Sequence, residues 1–423
     1  MAYLRRTVDT ELDELFDDVP AIAIDGPKAV GKTTTAQHRA EGTLRLDDPA
    51  TRSVTQADPS TILLRNRPLL VDEWQHVPAV WDVIRHSVDD DPHGGQFLLA
   101  GSATPYEQTR QHSGAGRIGR LRMRPMTLQE RQLTEPTVSL ADLLTGRRPA
   151  LQGDSRFGLP EYVEEIVASG FPAIRTMRER ARRFAIDSYL RNAVDKDVPE
   201  QGFAVRRPEA MMAWLRAYAA ATSTTASYSQ ILDAATPGQA QKPARSTADS
   251  YRGVLASLWL LDPVPAWFPS GSVLNRLGSS PKHHLADPAL AANLLGLDAS
   301  NLLNAEGTPL DPASGTMLGS LFESLVTLCV RVPAQAHECQ VHHLRTRNGD
   351  HEVDLVVERR DGRILALEVK LASTITDRDV KHLTWLQEEL GPKLLDTVVI
   401  STGPQAYRRQ DGIGVVPLVL LGL

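Results

Sequence analysis

Apolar positions in the first third of the chain gather into short continuous runs separated by polar, glycine-rich turns. AIAID (21–25), RPLLVDE (67–73) and QFLLAGS (96–102) are such runs. Runs of this length bounded by turn signals predict buried strands, and their alternation with helical stretches over residues 1–135 predicts a parallel sheet covered by helices. Residues 136–160 mix turn residues with little period, which predicts a connector. From 161 to about 220 the spacing becomes helical, in PEYVEEIVASG, RERARRFAIDSYLRNAVDKD and PEAMMAWLRAYAAAT. TPGQAQKPARST (236–247) predicts a loop leading into the helix STADSYRGVLASLWLL, and residues 263–315 are rich in Pro, Gly, Ser and Asn. A new unit opens near Met317 with an amphipathic helix. Strands are expected at 339–345, 352–358 and 364–370, then a helix near 377–390 and strands in DTVVIST and GVVPLVL. No internal repeat interrupts this order.

The 423 residues suggest two to four domains. With 42% apolar and 23% charged residues the balance is that of an ordinary globular protein. No apolar run is long enough to span a bilayer, and MAYLRRTVDTELDELFDD turns acidic too soon for a signal peptide. Cys329 and Cys339 are the only cysteines, so no disulfide framework is expected and the compartment is read as reducing cytoplasm. Of 46 basic residues 8 are lysine, leaving 38 arginines; with so much alanine this reads as GC-rich coding bias. A net charge of −6 does not suggest a generally basic nucleic-acid binder, so any such site would have to be a local patch.

The sharpest motif is AIAIDGPKAVGKTTTA. Gly26, Pro27, Lys28, Ala29, Val30, Gly31, Lys32, Thr33 and Thr34 follow a strand and open a helix, which is the context of a phosphate-binding P-loop. Its glycines let backbone N–H groups face phosphate, Lys32 reaches the β- and γ-phosphates, and Thr33 offers a hydroxyl to Mg²⁺. PLLVDEW supplies the second element: Asp72 to hold the metal and Glu73 to polarise the attacking water. Ser102, at the tip of LLAGSAT, is placed as a polar sensor or else as a turn serine. In GAGRIGRLRMRP (114–125), Arg117 and Arg120 are the candidates for an arginine finger, in cis or from a second copy, unless the segment is a solvated basic strand.

In the middle, SYSQILDAATPGQAQKPARSTADSYRGVLASLWLLDPVPAW reads as helix, turn, helix and strand. A helix opening at Ser246-Thr247, with Tyr251 and Arg252 one turn in, is similar to a DNA-recognition helix. His337, Cys339, His342 and His343, and the Lys-His-His at 282–284, lack zinc spacing and read as ordinary surface residues.

HEVDLVVERRDGRILALEVK (351–370) resembles the core of restriction-endonuclease-like nucleases. That resemblance implies that Asp354 and Glu368 bind Mg²⁺, that Lys370 steadies the nucleophile or the developing charge, and that Glu323 is a further acid. The motifs in order resemble the prokaryotic family of AAA-type ATPases with a C-terminal restriction-endonuclease-like domain of unknown function. They include LRLDDP, LLVDEWQHVP, SGFPA, YLRNAVDKDV, HHLADPALAANLLG, GSLFESLV and LALEVKLAS. The family's phosphate loop usually has arginine where Lys28 stands, and its LAGR appears here as GAGR, which carries Arg117 over.

The expected fold is α/β multidomain. A P-loop parallel α/β sandwich occupies 1–135, a helical region with a winged helix 136–300, and a restriction-endonuclease-like α/β domain 301–423. The implied cofactors are ATP and Mg²⁺. The implied partners are DNA or RNA and a second copy supplying an arginine finger, with no membrane. Three functions remain open: an ATP-regulated nuclease, a non-cleaving ATPase switch that binds DNA or a protein, and a small-molecule kinase, for which no acceptor motif is found.

Overall fold

The computed structural model describes residues 3–102, 116–236, 245–268, 280–305, 307, 316–346 and 349–423. Parts of the GAGR segment and of the loops at 236–247 and 263–315 lie outside the described residues. So does the tip of LLAGSAT beyond Ser102.

Strands β1 (Ala21–Asp25), β2 (Gly42–Arg45), β3 (Leu69–Asp72), β4 (Phe97–Gly101) and β5 (Ile118–Arg122) form an all-parallel sheet in the order β2-β3-β4-β1-β5. Every residue of β1, β3 and β4 is buried, as expected for strands covered on both faces. The helix Ala79–Asp90 covers one face, packing Val80, Trp81, Ile84 and Val88 on Leu69, Val71, Phe97 and Leu99. Because β4 lies between β1 and β3, the C-terminal ends of all three strands open on one edge. That edge carries the phosphate loop, the Asp72-Glu73 pair and Ser102.

The segment expected to be a connector is packed. Strand β6 (Val138–Ser139) pairs with the chain's last strand, and the turn Leu140–Leu143 buries Leu140 and Leu143. Arg359 and Arg408 donate to the carbonyls of Leu144 and Pro149, so this strap belongs with the C-terminal unit. Helices Leu159–Ala168, Glu179–Asn192 and Pro208–Ala220 follow, with a π-helical turn at Ala193–Asp197. Tyr228–Ala235 and Arg245–Ser257 complete a three-helix group. Antiparallel bridges Leu261–Leu285 and Val264–Lys282 then form a ribbon. Tyr251 does not face outward as expected: with Ala248, Val254 and Leu255 it makes the buried stripe of its helix. Arg252 lies with its guanidinium 4.5 Å from the Tyr228 ring centroid.

The C-terminal sheet comprises β7 (Gln340–Arg345), β8 (Glu352–Glu358), β9 (Ile364–Lys370), β10 (Leu394–Ser401), β11 (Tyr407–Arg408) and β12 (Gly414–Pro417). Its order is β11-β12-β10-β9-β8-β7, and β13 (Leu421–Gly422) returns to β6. β9 and β10 are parallel, joined through the helix Asp377–Leu390; β7, β8 and β9 are antiparallel neighbours.

Contrary to the sequence expectation, one helix, Met317–Ala336, is long and apolar enough for a membrane span by length and composition. It is the central core helix: Leu321, Phe322, Leu325, Val326 and Val330 are fully buried. Its two charged residues, Glu323 and Arg331, both hold partners in the preceding ribbon. The histidines also depart from expectation. His283, His284 and His343 are buried, because the backbone around them pairs on both sides; His283 exchanges backbone bonds with Ser223 and Thr224. Among the described residues no His/Cys/Asp/Glu group forms a metal cluster, and both cysteines are free thiols.

Candidate functional site

The phosphate loop is shaped by two glycines. At Gly26 a Cβ would stand 2.2 Å from the Met123 carbonyl oxygen, so no side chain fits between loop and neighbouring strand. Gly31 caps the helix Lys32–Gln37 at φ 109°, a left-handed conformation that favours glycine. The N-terminal helix Thr7–Leu15 braces the loop from behind: Arg6 donates to the carbonyls of Val30 and Arg124 and pairs with Glu130.

Lys32 is buried, and its Nζ donates to the Gly26 and Pro27 carbonyls, each at 2.8 Å. Burial lowers its pKa to about 8, against the opposing pull of Glu73, Asp72 and Asp25. Thr33 Oγ1 donates to Asp72 Oδ1 at 2.9 Å, joining the loop helix to the end of β3. Burial raises the Asp72 carboxyl, partly offset by that bond. Glu73 adopts φ 52° in the left-handed region, uncommon for a side chain of its size and typical of residues held for function. Its Oε2 accepts from Ser102 Oγ at 2.8 Å and from Gln75 Nε2, and Gln75 also donates to Ser102 at 3.1 Å. Thr33, Asp72, Glu73 and Ser102 are therefore gathered within one hydrogen-bonded edge, with Gln75 as a member that no motif announced. These hard oxygen donors fit Mg²⁺: a threonine hydroxyl and a carboxylate already share one point, as octahedral Mg²⁺ coordination beside a phosphate requires. Thr34, Ala29 and Val30 complete the loop by backbone.

The two arginine candidates separate. Arg120 Nε donates to Asp25 at 2.8 Å, one residue before the loop begins. Arg117 precedes Ile118, which pairs with Ala21 at the opposite end of β1, and bonds Asp89 at 2.8 Å. The four arginines of this segment are not a solvated row: Arg122 and Arg124 both pair with the buried Asp262 of the ribbon, which Arg331 also holds. These three cations keep the Asp262 carboxyl far below the usual range in spite of its burial. Lys28, at the third position of the loop, bonds Asp197 of the helical region at 2.6 Å; that pair raises its pKa against the effect of burial.

The C-terminal acids line a pocket of about 410 Å³ with Lys370, Arg378 and Lys381 at its walls. Three of these acids are held from behind: Lys282, 1% exposed and not itself a lining residue, reaches them from the ribbon. Its Nζ lies 2.8 Å from Glu323, 3.0 Å from Asp354 and 3.2 Å from Glu352. The second oxygen of Asp354 accepts from the Val369 amide at 2.9 Å. Glu368 Oε1 accepts from Lys370 at 2.7 Å, while its Oε2 is buried without a hydrogen-bond partner. Burial raises Glu323 and Glu368 to about 8; Asp354 stays below its ordinary value because Lys282, Lys370 and the Val369 amide overcome its burial. The sequence brings Glu323, Asp354, Glu368 and Lys370 together as expected. The Lys282 ammonium already holds Glu323 and Asp354, so those two do not fit a divalent ion as they are arranged; Glu368 is not among its partners. No local pattern marks Lys282, because its three partners are distant in sequence.

Comparison with known proteins agrees with the first site. Residues 18–132 match an AAA domain, residues 159–301 a domain of unknown function (DUF8612), and residues 318–421 another domain of unknown function (DUF4143). The match at 18–132 supports an AAA-type ATPase domain in this chain and, with it, ATP binding. Uncharacterized proteins of Mycobacterium tuberculosis and Mycobacterium bovis are each 28% identical to it over 380 residues, covering 88% of this chain and 74% of theirs.

Proposed function

We propose that the protein is a cytoplasmic, Mg²⁺-dependent ATPase whose nucleotide state acts on a C-terminal platform that binds a polyanion or a protein without cleaving it. The observation that carries the ATPase reading is the Thr33–Asp72 bond beside Glu73, at the C-terminal ends of strands separated only by β4. Lys32 and the loop amides hold the β- and γ-phosphates. Thr33 and Asp72 hold Mg²⁺, which supplies charge neutralisation at the phosphates when bound. Glu73, oriented by Ser102 and Gln75, accepts a hydrogen bond from the attacking water and draws on its proton. Of the two candidates, Arg120, released from Asp25 beside the loop, is the one that acts within its own chain. Arg117 lies a strand's length away, so it serves as a finger only for a second copy. Phosphate release from ATP tests this: turnover that needs Mg²⁺ and falls at least about 100-fold in Lys32→Ala supports it, and turnover unaffected by Lys32→Ala rejects it.

For the C-terminal unit, the nuclease alternative needs free carboxylates around a metal, and Lys282 engages Glu323, Glu352 and Asp354. The three-helix group and ribbon of the middle region, and the cations Lys370, Arg378 and Lys381 around the pocket, support a winged helix and phosphate-backbone contact. The kinase reading has no acceptor site to support it.

A further inference from the structure

We propose that Lys282 is the resident cation of the C-terminal pocket: its ammonium stands where the acids would otherwise gather a divalent ion, so the pocket takes neither Mg²⁺ nor Mn²⁺. This deepens the non-cleaving reading of the C-terminal unit and is independent of ATP hydrolysis.

Three arguments carry it. The first is geometric. Carboxylate oxygens from the core helix (Glu323) and from β8 (Glu352 and Asp354) meet on the single Nζ atom at 2.8–3.2 Å. A divalent ion held by these three acids would need those same oxygens at about 2.0–2.6 Å. The second is electrostatic. A fully buried ammonium is held only because its carboxylates offset its desolvation, and a divalent ion beside it would meet like-charge repulsion. The third is mechanical. Lys282 is not a loop side chain that swings aside. Its backbone exchanges two bonds with Val264, each 2.9 Å, and His283 and His284 after it are paired with Thr224, Ser223 and Asp262. The ammonium is thus delivered by a ribbon fixed on both edges.

The unpartnered Glu368 Oε2 is a second, independent pointer to a ligand in this pocket. Lys282 does not bond the Glu368 carboxylate, whose other oxygen holds Lys370. One buried oxygen does not provide the several ligands that a hard divalent ion demands.

Titration of the full, nucleotide-free chain with Mn²⁺, followed by the electron paramagnetic resonance of free Mn²⁺, tests the assignment. Wild type and Asp354→Asn are expected to bind Mn²⁺ alike. Lys282→Met is expected to gain one site, and Lys282→Met/Asp354→Asn to lose it again. A wild-type site that Asp354→Asn abolishes overturns the proposal, and so does a folded Lys282→Met with no added site. If Lys282→Met does not melt cooperatively, Lys282→Met/Glu352→Gln removes one positive and one negative charge together and carries the same gain-of-site test. No nucleotide is present, so the proposal can fail while the ATPase reading stands.

Discussion

Lys28 of the phosphate loop and Asp197 of the helical region form a 2.6 Å ion pair across 169 residues of sequence, with Glu200 a further 3.8 Å partner of the same ammonium. The loop that would receive a nucleotide is thus tied to the next region of the chain by a lysine able to turn toward phosphate. Without nucleotide, Asp197 and Glu200 hold that lysine and place negative charge beside the site.

Asp197→Ala should therefore tighten nucleotide binding. Removing one carboxylate near a partly exposed anion site corresponds to about a three- to tenfold lower Kd. A fluorescent ATP analogue titrated into both proteins reads this, and a weaker Kd in Asp197→Ala would show that the aspartate supports the loop instead of competing with phosphate.

Nucleotide binding should take up protons at alkaline pH. Lys32, lowered to about 8 by burial, is partly neutral at pH 8.5 in the free protein. A triphosphate favours the charged form and raises its pKa, so affinity should fall as pH rises through 8 and beyond. Calorimetry at pH 8.5 in buffers of different ionisation enthalpy should show uptake of a fraction of a proton, absent at pH 6.5.

Asp262 joins three parts of the chain: Arg122 and Arg124 after the P-loop sheet, its own ribbon, and Arg331 of the core helix. Asp262→Asn leaves three cations around a neutral side chain. A loss of about 3–5 kcal/mol is expected, read as a lower urea midpoint. Because the same ribbon carries Lys282, coupling between nucleotide and the C-terminal pocket should weaken too, visible as loss of any ATP-induced change in hydrogen exchange at residues 352–370.

Stability should fall from about pH 6.5 to pH 8, above the range in which the buried histidines, all lowered from 6.5 by burial, titrate. Glu11, raised to about 7, and Glu323 and Glu368, raised to about 8, are all shifted upward by burial. An acid with a raised folded pKa keeps its proton in the native state while the unfolded chain loses it near 4.5. Its contribution is full below that value and is lost as pH rises through the folded pKa. Asp354, held low, and the histidines whose pKa burial lowers oppose this only below about pH 6.5. Glu368→Gln, which keeps the shape of the protonated form, should flatten the decline of Tm by a few degrees; an unchanged slope would place the titration elsewhere.

The phosphate loop was legible in the sequence because its determinants are local: strand, glycines, Lys32 and Thr33 lie within a dozen residues. β8, β9 and the helix Asp377–Leu390 were legible because each buries one continuous or periodic apolar set. What escaped depends on distant pairing. β6 has two residues and no period, and it exists only because β13 returns to it. Lys282 lies 72 residues from Asp354, and nothing in Lys-His-His distinguishes a buried ammonium from a surface one. Tyr251 had the right position for a recognition helix, but its spacing with Ala248 and Val254 is equally that of a core stripe, and the core prevailed.

Glu73 is the residue on which ATP hydrolysis, as distinct from ATP binding, turns, and its exchange for glutamine is the most direct test. Phosphate release and ATP affinity measured side by side for wild type and Glu73→Gln should show Mg²⁺-dependent turnover in wild type. The variant should bind ATP within about threefold of wild type and turn over slower by about 100-fold or more, as loss of a water-orienting base implies. Equal turnover in both proteins, or none in wild type with ATP and Mg²⁺ saturating, would contradict the account.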